Sequence, residues 1–409
     1  MGIAGLLTLL NELPALRTVE SRLAKTNPSQ NQPQRLFCLE EARPYLMASL
    51  ALKFGRVFVL AARDEDAERL AEDIENFLPA LGDNNGHTLY PKVLVFPTRD
   101  LTEVVNNPEH KRLEVLASLA RNDDGLIVIS SVSALLQPTI SFSQFTNGTH
   151  ILKTGDKISI NRLLRLWNDL GYEMETMVSV PGTTSRRGGV LDIYPPDSNF
   201  PIRLELFGES IESIRSFDQD TQLSIQQLET VEIIPATESV PEYLISPNKD
   251  LINLPLTPDN FQAQSLEFSI TGTKSTFHDT ILSFFSQEST FLIEEPYRIH
   301  QTAQSLEQPD NPLNSQSKSG GSPFNLWKTI EEKINTFPKK IFIESLGGNR
   351  PELEIRSSPA PEFFGGIEGL ARHLDLSIKN GDRVVIFSRY SEQISKELAQ
   401  YDIGTRLSE

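Results

Sequence analysis

Residues Glu40 to Pro44, reading EEARP, sit where a nucleotide-binding chain would carry its phosphate loop, between an apolar strand at Arg35–Leu39 and a helix at Pro44–Leu52. Such a loop needs glycines, so that backbone N–H groups can approach the phosphates, and a lysine to neutralise them. Here there is no Gly and no Lys, Pro44 has no N–H to give, and Glu40 and Glu41 stand where the anion would rest. Nucleotide is repelled from such a loop. Arg43, its one cation, reads as a partner for Glu40 or another nearby acid. The six His are scattered and Cys38 is the single cysteine, so no Ser/His/Asp or Cys/His set, no cysteine-based zinc site and no internal disulfide is readable. The chain is expected to hold no catalytic residue, cofactor or metal.

The elements around this loop read as a parallel α/β domain. Strands at Arg56–Ala61, Lys92–Phe96 and Gly125–Ser130 are apolar throughout and alternate with helices at Glu65–Phe77 and Glu109–Ala120. That pattern predicts a sheet covered on both faces. Met1–Ala24 reads as amphipathic helix around Leu6, Leu7, Leu9, Leu10 and Leu16. A later strand, Ser289–Glu295, resembles the one that ends in acidic residues in helicase-like ATPases, where the acids hold Mg²⁺ and orient water. Without a phosphate loop, Glu294 and Glu295 have no metal–phosphate complex to serve and read as a relic or a solvated strand end. Glu307–Pro323 is Ser/Gly/Pro/Asn/Gln-rich and reads as a mobile surface loop. Lys340–Glu344 is a further strand. Helix Phe364–Leu376, strand Arg383–Ser388 and helix Ser391–Tyr401 make a small α/β piece that reads as cut from a longer protein.

Between these segments, Asp156–Gly171 reads as a helix with an apolar stripe of Leu163, Leu164, Leu166, Trp167 and Leu170, and Ser185–Gly208 as a β-hairpin. Ile202, Leu204 and Leu206 share one face of its second strand. Side chains alternate, so Arg203, Glu205 and Phe207 share the other, where Arg187 joins them by a diagonal contact. One reading of this row is a surface Arg203–Glu205 ion pair with Phe207 tucked under a loop. The other is a protein-docking patch, because arginine and aromatics anchor interfaces.

The run RRGGVLDIYP, the turn, RLELFGESIESIRSFDQDTQ and then IIPATE is similar to the UvrA-binding domain of bacterial transcription-repair coupling factors (Mfd), a domain shared with the excision-repair protein UvrB. The resemblance is strongest over Val93–Glu238. It implies that Arg187, Arg203 and Phe207, with Glu205 beside them, contact UvrA. It also implies a degenerate P-loop, helicase-like parallel-sheet domain at 1–149 and 237–345, an inserted α+β UvrA-binding domain at 150–236, and a truncated third domain at 346–409. Phe96–His110 is too short for the hairpin with which UvrB grips damaged DNA. In the family, RNA polymerase and DNA are engaged through other regions, including an ATP-driven translocase motor, so the resemblance implies that the part read here is an adaptor that recruits UvrA to stalled polymerase; a monomer is expected.

Composition bounds these readings. A net charge of −17 argues against a bare nucleic-acid-binding module. No apolar run approaches a membrane span, no signal peptide opens the chain, and a cytoplasmic location is expected. A UvrB-like or helicase-like ATP-dependent repair enzyme is the alternative, and Glu40–Pro44 speaks against it.

Overall fold

The computed structural model describes residues 13–24, 32–81, 91–99, 108–123, 125–240, 279–308, 327–345, 353–355, 366–382, 384–386 and 390–407. After helix α1 (Pro14–Ala24) the chain alternates β1 (Gln34–Phe37), α2 (Arg43–Phe54), β2 (Val57–Ala61), α3 (Asp64–Leu81), β3 (Lys92–Phe96), α4 (Pro108–Ala120) and β4 (Leu126–Ser131). Three acids in the first turn of α3 favour its positive dipole end. Ala67, Leu70, Ala71, Ile74 and Leu78 form its buried stripe. Residues 1–12, 309–326 and most of 346–365 lie outside the described residues, and with them most of the expectations for the N-terminal leucines and for Glu307–Pro323.

Two strands that arrive late complete this sheet. β13 (Thr290–Glu294) and β14 (Lys339–Glu344), which follow eight further described strands in the chain, pair in parallel with each other and with β2 and β1 respectively, giving the order β1-β14-β13-β2-β4-β3. Every residue of β2 is buried. Its side chains alternate between two cores: Val57 and Val59 face one that includes Leu46, Leu50, Ile127, Ile129, Leu292 and Ile341, while Phe58 and Leu60 face one that includes Leu113, Leu116, Val128 and Phe291. Burial on both faces is what a central parallel strand requires.

From β4 the chain passes through α5 (Val132–Leu136) and α6 (Phe142–Gly148) into β5 (His150–Lys153), α7 (Ile160–Asp169), β6 (Glu173–Met174), β7 (Thr183–Arg187), β8 (Val190–Tyr194), β9 (Ile202–Phe207), β10 (Ser210–Phe217), β11 (Ser224–Leu228) and β12 (Thr230–Ile233). β6 to β11 form one sheet in sequence order, antiparallel except for β6 with β7, and β12 pairs with β5. Helix α7 begins at Ile160, later than the expected Asp156, because Lys157 bridges Ser210 and Ile158 donates to the Glu209 carbonyl. Its Leu163, Leu166 and Trp167 pack with Leu191, Ile193, Ile202, Leu204, Ile211 and Ile214, and this cluster runs without a break into the Phe58 side of the parallel sheet.

Beyond β13 come α8 (Pro296–Glu307) and α9 (Trp327–Asn335), and after β14, α10 (Ile367–Lys379) and α11 (Ser391–Ala399), which meet through Ala371, Leu374, Leu398 and Ile403. The strand expected at Arg383–Ser388 is not formed across its described residues. Val384, Val385 and Ile386 are irregular and partly exposed, with no described strand beside them to satisfy their backbone groups.

Candidate functional site

The outer face of the second sheet is laid down in cross-strand rows. Arg187 stands opposite Val190, Val190 opposite Glu205, and Glu205 opposite Ser213. The next row is Ser185, Asp192, Arg203 and Arg215. Arg187 therefore shares the face with Glu205, but it ends a separate strand, β7, instead of opening the first strand of the hairpin. The Gly188-Gly189 turn makes this possible: Gly188 has φ +63°, and a Cβ on Gly189 would lie 2.8 Å from the Leu206 carbonyl oxygen. Phe207 closes β9 with 81% of its surface exposed.

Arg203 is held on three sides. Its Nε and Nη2 donate to the two carboxylate oxygens of Asp192 at 2.7 and 2.8 Å, Nη2 donates again to Gln222 Oε1 at 2.9 Å, and the guanidinium lies 4.2 Å from the centre of the Phe217 ring. Hydrogen bonding to Asp192 raises its pKa, against burial. The expected Arg203–Glu205 pair is not made. A side chain reaches a neighbour on the adjacent strand, direct or diagonal, more easily than one two residues along its own strand, so Arg203 takes Asp192 directly opposite it, and Glu205 takes Ser213 directly opposite and Arg215 on the diagonal. Arg187 is exposed and donates to the Thr176 carbonyl at 3.3 Å. Val178, Tyr194 and Phe217 form a small apolar cap over the far half of this face, leaving Arg187, Val190, Glu205 and Phe207 as its open half.

In the parallel-sheet domain, Glu40–Ala42 is a single 3-10 turn that runs into α2. Arg43, 1% exposed, does not pair with Glu40, which meets Arg69 instead. It donates through Nη1 to Glu294 at 2.7 Å and through Nη2 to Glu295 and to Ser345 Oγ at 2.8 Å. Glu294 is buried, so the strand end is not a solvated one: the two acids close on an internal arginine. Burial pushes the Glu295 carboxyl up, but hydrogen bonds from Ser345 and Arg43 and the charge of Arg43 outweigh it, and the group lies below its usual range. Burial likewise raises the neighbouring Cys38 thiol to about 11, leaving it protonated and inert.

A second buried charge cluster escaped the sequence reading. Glu238, the last residue of the PATE run, is 2% exposed and accepts from Arg112 Nε at 2.5 Å and Nη2 at 3.1 Å, from Arg99 at 2.8 Å and from the Thr139 hydroxyl. Burial opposes its ionisation, but Arg112 and Arg99 outweigh that and hold it charged. The available signal was Arg112 itself, a cation set among Leu113, Val115 and Leu116 in a helix that reads as apolar. The cluster joins α4 to the end of the segment that carries the second sheet.

Residues 151–238 match the UvrB interaction domain family. Over 90% of its length the chain is 23% identical to a transcription-repair-coupling factor of Bacillus subtilis, of which it covers 34%. Over 81% of its length it is 28% identical to one from Staphylococcus aureus, covering 31% of that protein. The chain thus spans about a third of the length of the curated relatives it matches. The resemblance read from Arg186 to Glu238 is borne out by these matches.

Proposed function

We propose, for a chain that carries a UvrB interaction domain and is similar over most of its length to transcription-repair-coupling factors, that it is the adaptor part of such a factor and recruits UvrA to stalled RNA polymerase. UvrA docks on the outer face of the second sheet, against Arg187, Glu205 and Phe207 of its open half and Arg203 at the border of the apolar cap. RNA polymerase and DNA are engaged through parts of the relatives that this chain does not cover. In this reading 1–149 and 237–345 make a helicase-like domain whose phosphate loop has degenerated, 150–236 is the inserted UvrA-binding domain and 346–409 begins a third. The chain acts as a cytoplasmic monomer without enzymatic activity of its own.

The observation that carries the proposal is Phe207. A large aromatic at 81% exposure, on a strand whose other face already buries Ile202 and Leu204, adds little to the core and is the residue type that anchors interfaces. Phe207→Ala is expected to weaken binding to purified UvrA about thirtyfold, equivalent to about 2 kcal/mol, in a calorimetric titration. Binding equal to that of the parent would overturn the docking assignment.

A further inference from the structure

We infer that Asp192 is a positioning residue of the docking face: it fixes the Arg203 guanidinium so that a single nitrogen, Nη1, is offered to the partner. This rests on the docking reading above. An arginine has five N–H donors. Asp192 takes the Nε hydrogen and one on Nη2, Gln222 takes the other on Nη2, and Phe217 covers one face of the plane. Nη1 makes no hydrogen bond among the described residues, yet it is not among the buried polar atoms without a partner, so it lies in the 16% of the side chain that solvent reaches. Asp192 itself is 2% exposed. It cannot meet a partner directly, and whatever it contributes to docking passes through Arg203.

Two chemical consequences follow. A guanidinium already held at one edge loses little rotamer freedom on binding, which is where a long flexible cation usually forfeits affinity. Its charge is also balanced within the fold, as that of Glu205 is by Arg215, so Arg203 offers paired N–H groups to an acceptor such as a backbone carbonyl or side-chain amide oxygen of UvrA, and contributes little net charge.

The test is a double-mutant cycle on the full chain, titrated against purified UvrA, with the melting temperature of each variant recorded. Arg203→Ala is expected to weaken binding about thirtyfold and Asp192→Asn about tenfold. In the Arg203→Ala background, Asp192→Asn is expected to cause no further loss. Gln222→Ala, on a surface turn away from the core, is expected to weaken binding about threefold with an unchanged melting temperature, and it carries the test if Asp192→Asn fails to fold. Losses that add in the double variant, or parent-like binding by both Asp192→Asn and Gln222→Ala while Phe207→Ala and Arg203→Ala are impaired, would overturn the positioning role and leave the docking face intact. Parent-like binding by Arg203→Ala would remove both.

Discussion

Replacing Arg43 with methionine keeps most of its volume and removes its charge, and the structure gives the cost. Arg43 is 1% exposed, and without it Glu294 and Glu295 face each other across the space that its guanidinium filled. Breaking one side of a buried ion pair costs about 3–5 kcal/mol, because the abandoned charge stays buried. For a domain of this size that lowers the melting temperature by about 10 °C. The pH dependence carries the sharper signature. In the parent, Glu295 titrates below its usual value, so its stabilisation is fully present above about pH 4.5 and is lost only as pH falls through the folded-state pKa. In the variant Glu295 keeps its burial and a second carboxylate beside it but loses the charge and hydrogen bond of Arg43, so its pKa moves upward and stability falls as pH rises through it. Scanning calorimetry at pH 7.5 and 5.5 is therefore expected to show the gap between variant and parent narrowing at the lower pH. A gap under 2 °C, or one that does not change with pH, would refute the claim that these acids exist to hold Arg43.

Three further outcomes are expected. Isothermal titration with Mg-ATP gives no heat of binding, because Arg43 occupies both acids that would otherwise serve a metal–phosphate complex and the Glu40–Pro44 turn offers no glycine or lysine to the phosphates; a micromolar dissociation constant would contradict this. Leu204→Ala, on the packed face of β9, lowers the melting temperature through a loss of about 2–5 kcal/mol while its neighbours Arg203 and Glu205 keep their cross-strand partners. His150, which accepts from Trp167 Nε1 at 3.2 Å, has its pKa lowered from 6.5 to about 4 by burial, partly offset by the Gly148 carbonyl. The unfolded chain therefore binds more protons in that window, and stability falls as pH drops from 6.5 to 4, by at most about 3 kcal/mol and by less to the extent that this half-buried ring still meets solvent. His150→Gln should flatten that part of the melting-temperature profile.

Much of the architecture was legible because periodicity and burial agree. The all-apolar runs at β2 and β4 could only be central parallel strands, and the alternation of Ile202, Leu204 and Leu206 fixed which face of β9 is packed. What escaped were partnerships across the chain. Arg43 lies 251 residues from Glu294, and Arg112 lies 126 from Glu238, separations at which no local pattern links an acid to a base. The partner of Arg203 was missed for another reason: Asp192 is only 11 residues away, but which residue stands opposite it depends on the register of β8 and β9, and register is set by turn length, not by composition.

The late arrival of β13 and β14 bears on how the molecule is made. During synthesis β2 and β4 are available early, yet the strand that pairs with the other side of β2 begins at Thr290, and β1 has no neighbour until β14 is complete at Glu344. Until β13 is made, β2 keeps an open edge and Arg43 lacks Glu294 and Glu295. The meander of β7 to β11 pairs only consecutive strands joined by short turns, so its contacts are local and close quickly, whereas the parallel sheet must wait for loop closures of well over two hundred residues. In pulse-labelled hydrogen exchange, the amides of β8 to β10 are expected to gain protection before those of β13. The docking face would then be formed while the sheet that carries it is still half built.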